Sequence, residues 1–316
     1  MTEDKKPLGS RKFVWVGPNW KESEEIARPS ISYWQDAMNR LRKNKAAMVC
    51  LVLIVAVTLF SLIIPLISPF TMNEQHLMHV NQKMFTVCPD TGHMHWFGTD
   101  SLGRDLLVRL CKGIQVSMYV AVTAVFVNVI IGLLYGGISG YVGGAVDNVM
   151  MRAVEVINGI PYLMIVILLM MILEPGATTI IIAYALVGWT GMARLVRGQI
   201  LSLKGQEYVL ASKALGASGM RMIMHHLLPN SLSVIIVNIT LAIPSAIFTE
   251  AFLSFIGLGI PIPLCSLGML ASDGARVFQL YPWQLLVPAM AISVIMLSFN
   301  LLGDGLRDAF DPKLRR

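Results

Sequence analysis

Apolar runs alternate with polar segments along the whole chain, and six of the runs are long enough to cross a bilayer. Crossing about 30 Å of hydrocarbon takes about 20 helical residues at 1.5 Å each. The runs Ala46–Ile67, Val116–Ile138, Val149–Leu173, Thr178–Val196, Val234–Ile256 and Trp283–Leu302 meet that length. The pattern predicts an all-α membrane protein of about six transmembrane helices. It divides the chain into a tail over 1–45 and a transmembrane domain over 46–316, with one long loop at about 68–115 and another at about 197–232. The first apolar run begins later than the apolar core of a secretory signal does. Just before it, Trp34, Met38 and Leu41 recur at helical spacing among Arg40, Arg42 and Lys43. Such a stripe suits a helix lying at the lipid–water interface; a plain extension of the first span fits equally well.

Composition supports lipid as the solvent. Of 316 residues, 55% are hydrophobic and 14% charged, against about 25% charged in soluble domains. The net charge of +6 changes meaning once its placement is considered. Lys and Arg crowd the first 45 residues, the loop after the fourth span (Arg194, Arg197, Lys204, Lys213, Arg221) and the C-terminus (Arg307, Lys313, Arg315, Arg316). The opposite side carries only Lys83, Arg104, Arg109, Lys112 and Arg276. By the positive-inside rule both termini are expected in the cytoplasm. The charge then marks the inner membrane face and requires no nucleic acid. The four cysteines, Cys50, Cys88, Cys111 and Cys265, form no C-x-x-C pair, so neither a zinc knuckle nor a redox pair is indicated.

Some residues within the spans have more specific meaning. Gly132, Gly136, Gly140 and Gly144 recur every four positions, a stripe that lets helix backbones approach closely in lipid. Gly140 and Gly144 also suit the turn into the third span. Pro161 and Pro244 remove backbone donors and predict kinks. Arg152 and Glu155, three apart on one helix face, can pair. Glu250 lies deeper, with no local partner evident in the sequence. Ionisable groups at membrane depth face cavities or other helices, so Glu250, Arg152 and Glu155 are candidates for a pathway or gate.

The loop over 68–115 holds His76, His79, His93 and His95, at spacings that match no firm metal pattern. It ends in the dense run His95 to Asp105, in which Arg104 can pair with Asp100 or Asp105. The second loop exceeds the 2–8 residues usual between bundled helices. Its segment Tyr208, Val209, Leu210, Ala211, Ser212, Lys213, Ala214, Leu215, Gly216, Ala217 favours a short helix rich in small residues, ended by Gly216. Apolar groups exposed there suit a groove on a partner. No phosphate-binding G-x-x-x-x-G-K-[ST] loop occurs, nor H-E-x-x-H or G-x-S-x-G. Any energy from ATP must come through another polypeptide.

Tyr208–Asn230 resembles the "EAA" coupling loop of permease subunits of bacterial ABC importers. Ala211, Gly216, Leu228 and Pro229 fit that motif, while Leu210 replaces its Glu and Ser212 its second Ala. His95-Trp96-Phe97-Gly98-Thr99-Asp100-Ser101-Leu102-Gly103-Arg104-Asp105 is similar to a stretch of the second, "C"-type, permease of the dipeptide, oligopeptide and nickel importers. So are Glu250–Gly259 and Leu301–Asp308 with Asp311-Pro312. Those relatives usually carry Ser-Trp-Gly where this chain has Ser266-Leu267-Gly268.

The resemblance implies a type I importer permease fold in the bacterial cytoplasmic membrane. The chain would pair with a second, homologous permease. Two ATPase subunits, holding the ATP and magnesium, would dock on Tyr208–Ala217, and an extracytoplasmic binding protein would deliver peptide. This chain would bind no cofactor and catalyse no reaction. Alternatives are a permease for nickel or a metal chelate, a proton-coupled secondary transporter using Glu250 or the Arg152–Glu155 pair, and an intramembrane enzyme, for which no nucleophile–base pair is evident.

Overall fold

The computed structural model describes residues 33–89, 91–261 and 263–311. The tail up to residue 32 and the C-terminal Lys313, Arg315 and Arg316 lie outside the described residues. Helix α1 (Tyr33–Lys43) precedes α2 (Lys45–Ile67), with Asn44 capping the latter by accepting from the Ala47 amide at 3.2 Å. After a loop come α3 (Leu106–Val142), α4 (Gly144–Asn158), α5 (Tyr162–Leu173), α6 (Ala177–Val187), α7 (Trp189–Leu203) and the short α8 (Glu207–Ala214). A helical turn (Gly219–Arg221) and a wide π-helical turn (Met222–Leu227) lead into α9 (Leu228–Phe255). Then follow α10 (Leu267–Arg276) and α11 (Trp283–Phe310). The first loop carries the β-structure of the described residues: a hairpin pairing β1 (Thr86–Val87) with β2 (Met94–His95) antiparallel, and an isolated antiparallel bridge between Thr99 and Asp105.

Five helical stretches are long and apolar enough to span a membrane, and a bent pair makes a sixth. The third expected span is that pair: α4 and α5 meet at 76°. The break falls at Gly159-Ile160-Pro161, where Pro161 cannot donate to the helical ladder and disfavours helical geometry in the residue before it. The fourth span is also interrupted, between α6 and α7 at Gly188, and runs to Leu203, beyond the expected Val196. Pro244 lies inside the continuous helix α9. At 37 residues α3 is roughly 55 Å long. It therefore includes the last turns of the segment expected as loop up to residue 115, and Asp105 caps it by accepting from the Val108 amide at 2.8 Å.

α3 is the central strut. Its glycines lie against α7: a Cβ on Gly136 would sit 2.3 Å from the Ala193 carbonyl oxygen, one on Gly132 2.6 Å from Met192 and one on Gly140 2.9 Å from the Arg197 carbonyl oxygen. The expected stripe therefore packs helices together through three of its four members. Gly144, with φ of +60°, follows the turn at Gly143 as the first residue of α4, and a Cβ there would meet nothing within 4 Å. Nearer its start α3 packs on α2, α9 and α10 through Leu110, Ile114, Ala121, Ile247 and Leu270. The ends of α3 separate two regions. The 68–105 loop lies at one end; at the other, Tyr141 accepts a hydrogen bond from Lys204 beside α8. Helix α1 and the end of α11 share the α8 end: Leu41, Ala47 and Ala309 form one cluster, and Trp34 meets Phe310 edge-on at 5.5 Å. Of the stripe expected to lie at an interface, Leu41 is buried against the bundle and Met38 stays exposed.

Candidate functional site

At the α8 end, local chemistry shapes a small protruding helix. Gly216 has φ of +84°, a left-handed conformation that glycine adopts without the steric cost of a Cβ. The Ala217 amide donates to the Ser212 carbonyl and the Gly216 amide to the Lys213 carbonyl. That pair of bonds is the glycine-terminated helix end in which the last free carbonyls are satisfied. Val209 is the anchor, buried with Met222, Ile223, Leu227 and Tyr141. Ser212 adds a contact between its hydroxyl and the His226 ring at 3.2 Å. Tyr208, Leu210, Ala211, Lys213, Ala214 and Leu215 are exposed, Leu215 at 89%. Two aliphatic side chains, Leu210 and Leu215, thus stand outward from an anchored helix, and Met220 and Met224 are exposed farther along the chain. The π-helical turn beneath has a local cause. Pro229 lacks the N–H that would bond the carbonyl of residue 225, and its ring would crowd that carbonyl in a regular helix; one bond in the widened turn runs from the Leu228 amide to the Ile223 carbonyl.

A second polar region runs along α4 and α7. Arg152 and Glu155 pair at 2.8 Å on the exposed surface. Asp147, buried, receives both nitrogens of the Arg197 fork at 2.5 Å and the Ser139 hydroxyl at 2.5 Å. This bidentate clamp ties α3, α4 and α7 together. Higher up, the Thr190 hydroxyl meets the Asn158 amide oxygen at 3.0 Å, which joins the two helix breaks. Asp147 and Arg197 lie 50 positions apart, and Asn158 and Thr190 lie 32 apart. No local pattern pairs them, and the sequence reading missed all four.

Glu250 is wholly buried, and its partners are near. One oxygen accepts from Ser117 of α3 at 2.6 Å, the other from Ser254 one turn along α9 at 2.7 Å. This corrects the expectation that Glu250 lacks a local partner: Ser254, four residues on, reaches it from the same helix. Ser117 also accepts from the Leu267 amide at 3.1 Å, so the node fixes the start of α10.

The 68–105 loop is organised by a buried ion network. Asp100 receives Arg104 at 2.7 Å and Arg109 at 2.5 Å, and its other oxygen accepts the Leu102 and Arg104 amides. Arg104 therefore chooses Asp100; Asp105 pairs instead with His95 at 2.8 Å. Burial opposes the charge on His95, but hydrogen bonds to Asp105 and Cys88 outweigh it and raise the pKa above the usual histidine value. The His95 ring stacks on Phe70 at 4.1 Å. The Gln284 side chain donates to Asn81 and to the Thr99 carbonyl, seating the loop on the start of α11. Among the described residues no group of three or more His, Cys, Asp or Glu side chains is placed to hold a metal ion.

Comparison with known proteins gives a consistent result. Residues 128–316 match the model of the binding-protein-dependent transport system inner membrane component, and residues 32–83 match the N-terminal TM domain of oligopeptide transport permease C. The dipeptide transport system permease protein DppC of Bacillus subtilis is 48% identical over 96% of this chain and 93% of its own length. The oligopeptide permease OppC of the same organism is 47% identical over 96% and 97%. OppC of Escherichia coli K12 is 44% identical over 93% and 95%. The same fold occurs in the inward-facing MetNI methionine ABC transporter, at a TM-score of 0.54 and 17% identity over 65% of this chain and 96% of that one.

Proposed function

The chain belongs to the family of binding-protein-dependent transport system inner membrane components, and from that membership we propose that it is one permease of an ATP-driven peptide importer. Relatives named as dipeptide and oligopeptide permeases align along almost its full length, which favours peptide over a nickel or chelate cargo. In this reading a second, homologous permease completes the pathway, two ATPase subunits bind ATP and magnesium, and a binding protein delivers peptide from outside. This subunit itself performs no chemistry.

The observation that carries the mechanism is α8. It is held by Val209, closed by Gly216, and presents Leu210 and Leu215 outward. A helix anchored so firmly on the root of α9 does not bend independently of it. Movement of an ATPase surface seated on Leu210 and Leu215 would pass through Val209 into the π-helical turn and along α9. The motif's Glu is absent, so docking here rests on apolar contact and Lys213. Both described chain ends lie at the α8 end of the bundle, as cytoplasmic termini require.

The test is transport by the purified complex in proteoliposomes. Labelled peptide should accumulate only with ATP, binding protein and all membrane subunits present. Uptake by this chain alone, driven by a proton gradient, would instead establish a secondary transporter.

A further inference from the structure

The broken third span raises a question of solvation. Asn158, Gly159, Ile160 and Pro161 are exposed on this chain, within a helix pair apolar enough to span a membrane. Lipid does not tolerate exposed irregular backbone; such segments persist where they line a water-filled cavity or are covered by protein. The face below the break is equally unsuited to hydrocarbon. Asn148, Arg152, Glu155 and Asn158 recur at helical spacing along one side of α4, and Thr190, Arg194 and Arg197 along one side of α7. The side chains of Arg152 and Glu155 are 81% and 56% exposed.

Between these two faces lies an open cavity of about 640 Å³, lined by Asn148, Met151, Arg152, Glu155, Arg194 and Arg197. Its charge is unbalanced. Asp147 neutralises Arg197 and Glu155 pairs with Arg152, while no carboxylate of the described residues lies within salt-bridge distance of the exposed Arg194. The Asp147 clamp ties α4 to α7 at Arg197, which lines the cavity.

Resting on the importer reading, we propose that this groove is a substrate site in the translocation pathway, where Arg194, aided by Arg152, takes the terminal carboxylate of the peptide in transit. Every unmodified peptide carries that group whatever its side chains, and a guanidinium fork matches its planar geometry. A lipid headgroup is the weaker occupant, because the polar side of α4 that lines the groove leads on along the helix to the exposed broken backbone at Asn158–Pro161, which acyl chains cannot solvate.

The test uses the complete complex in proteoliposomes and one peptide in two forms, free acid and C-terminal amide. The peptide is chosen because its binding protein holds both forms equally by calorimetry. Wild type should take up the acid faster. The acid-to-amide uptake ratio should fall about tenfold in R194Q, the scale of one charge-assisted contact, and be largely kept in R194K. Should R194Q not assemble, the ratio in R152Q decides, with a fall of at least threefold expected. An unchanged ratio in the assembled variant overturns the site. Uptake that follows the acidic-phospholipid content of the vesicles, with no dependence on the peptide terminus, overturns it in favour of a headgroup site. A wild-type complex that accumulates neither form defeats the importer reading itself.

Discussion

Single residues in this molecule do most when they satisfy charge or polarity that lipid cannot. Both oxygens of Glu250 are occupied by serine hydroxyls, and the node ties α3, α9 and α10. Replacing it with Ala leaves the donors of Ser117 and Ser254 unpaired, at about 1–3 kcal/mol for each buried group. E250A should therefore lower the thermal midpoint of the detergent-solubilised protein clearly, and E250Q, which keeps one acceptor, by less. Equal midpoints for E250A and wild type would refute the structural role. His95 gives a pH signature. Its folded pKa is raised, so its contribution to the loop is fully present below the unfolded value of about 6.5 and is lost as pH rises through the higher folded value. Hydrogen exchange over 95–105, corrected for intrinsic rates, should accelerate across that window in wild type and lose the step in H95N. Of these partnerships, the sequence showed Arg152 with Glu155 because they are three apart on one helix. It offered Arg104 two partners without deciding. Asp147 with Arg197 was invisible, since only the packing of α4 on α7 brings them together.

At the scale of elements, α3 and α7 show how small residues set spacing. A methyl group at Gly136 would meet the Ala193 carbonyl oxygen at 2.3 Å, whereas one at Gly191, also helical, meets nothing within 4 Å. G136A should cost about 1–3 kcal/mol through overpacking, read as a lower thermal midpoint. G191A should be neutral or slightly stabilising. Similar midpoints for the two variants would contradict the close approach. Most of the helices were legible in the apolar runs, and the four-residue glycine period marked the α3 face. Two features were not. The run Val149–Leu173 carries only Arg152, Glu155 and Asn158 as strongly polar residues, so hydropathy joined it into one span, and the kink expected from Pro161 did not by itself reveal a 76° break into two helices. The π-helical turn before Pro229 also left no periodic trace, because a single widened turn barely shifts the apolar pattern.

For the whole molecule, α3 separates the 68–105 loop from the end that carries α8, α1 and the end of α11. The importer reading puts α8 inside the cell. All four native cysteines are buried, so introduced ones report cleanly. In intact cells an impermeant thiol reagent should label a cysteine at Met78, which is 87% exposed in the loop, and should leave one at Ser218 unlabelled until the membrane is opened. The reverse pattern would invert the topology. In the sequence the charge bias points to the same orientation, and the length of the second loop sets apart the segment proposed to couple. How α8 is attached was not readable, since Val209 finds its partners only after the chain turns back through Met222 and Leu227. In the proposed mechanism this attachment carries force from the ATPases to the pathway, and Gly216 is the exposed residue on which it depends. A tryptophan there must adopt a left-handed backbone at about 1–3 kcal/mol and stands where partner contact is expected. The decisive measurement is ATP hydrolysis and peptide uptake together, in reconstituted complexes carrying G216W that retain all subunits by size-exclusion chromatography. Hydrolysis that continues while uptake falls about tenfold or more is the predicted result; uptake at the wild-type rate per ATP consumed would contradict the account.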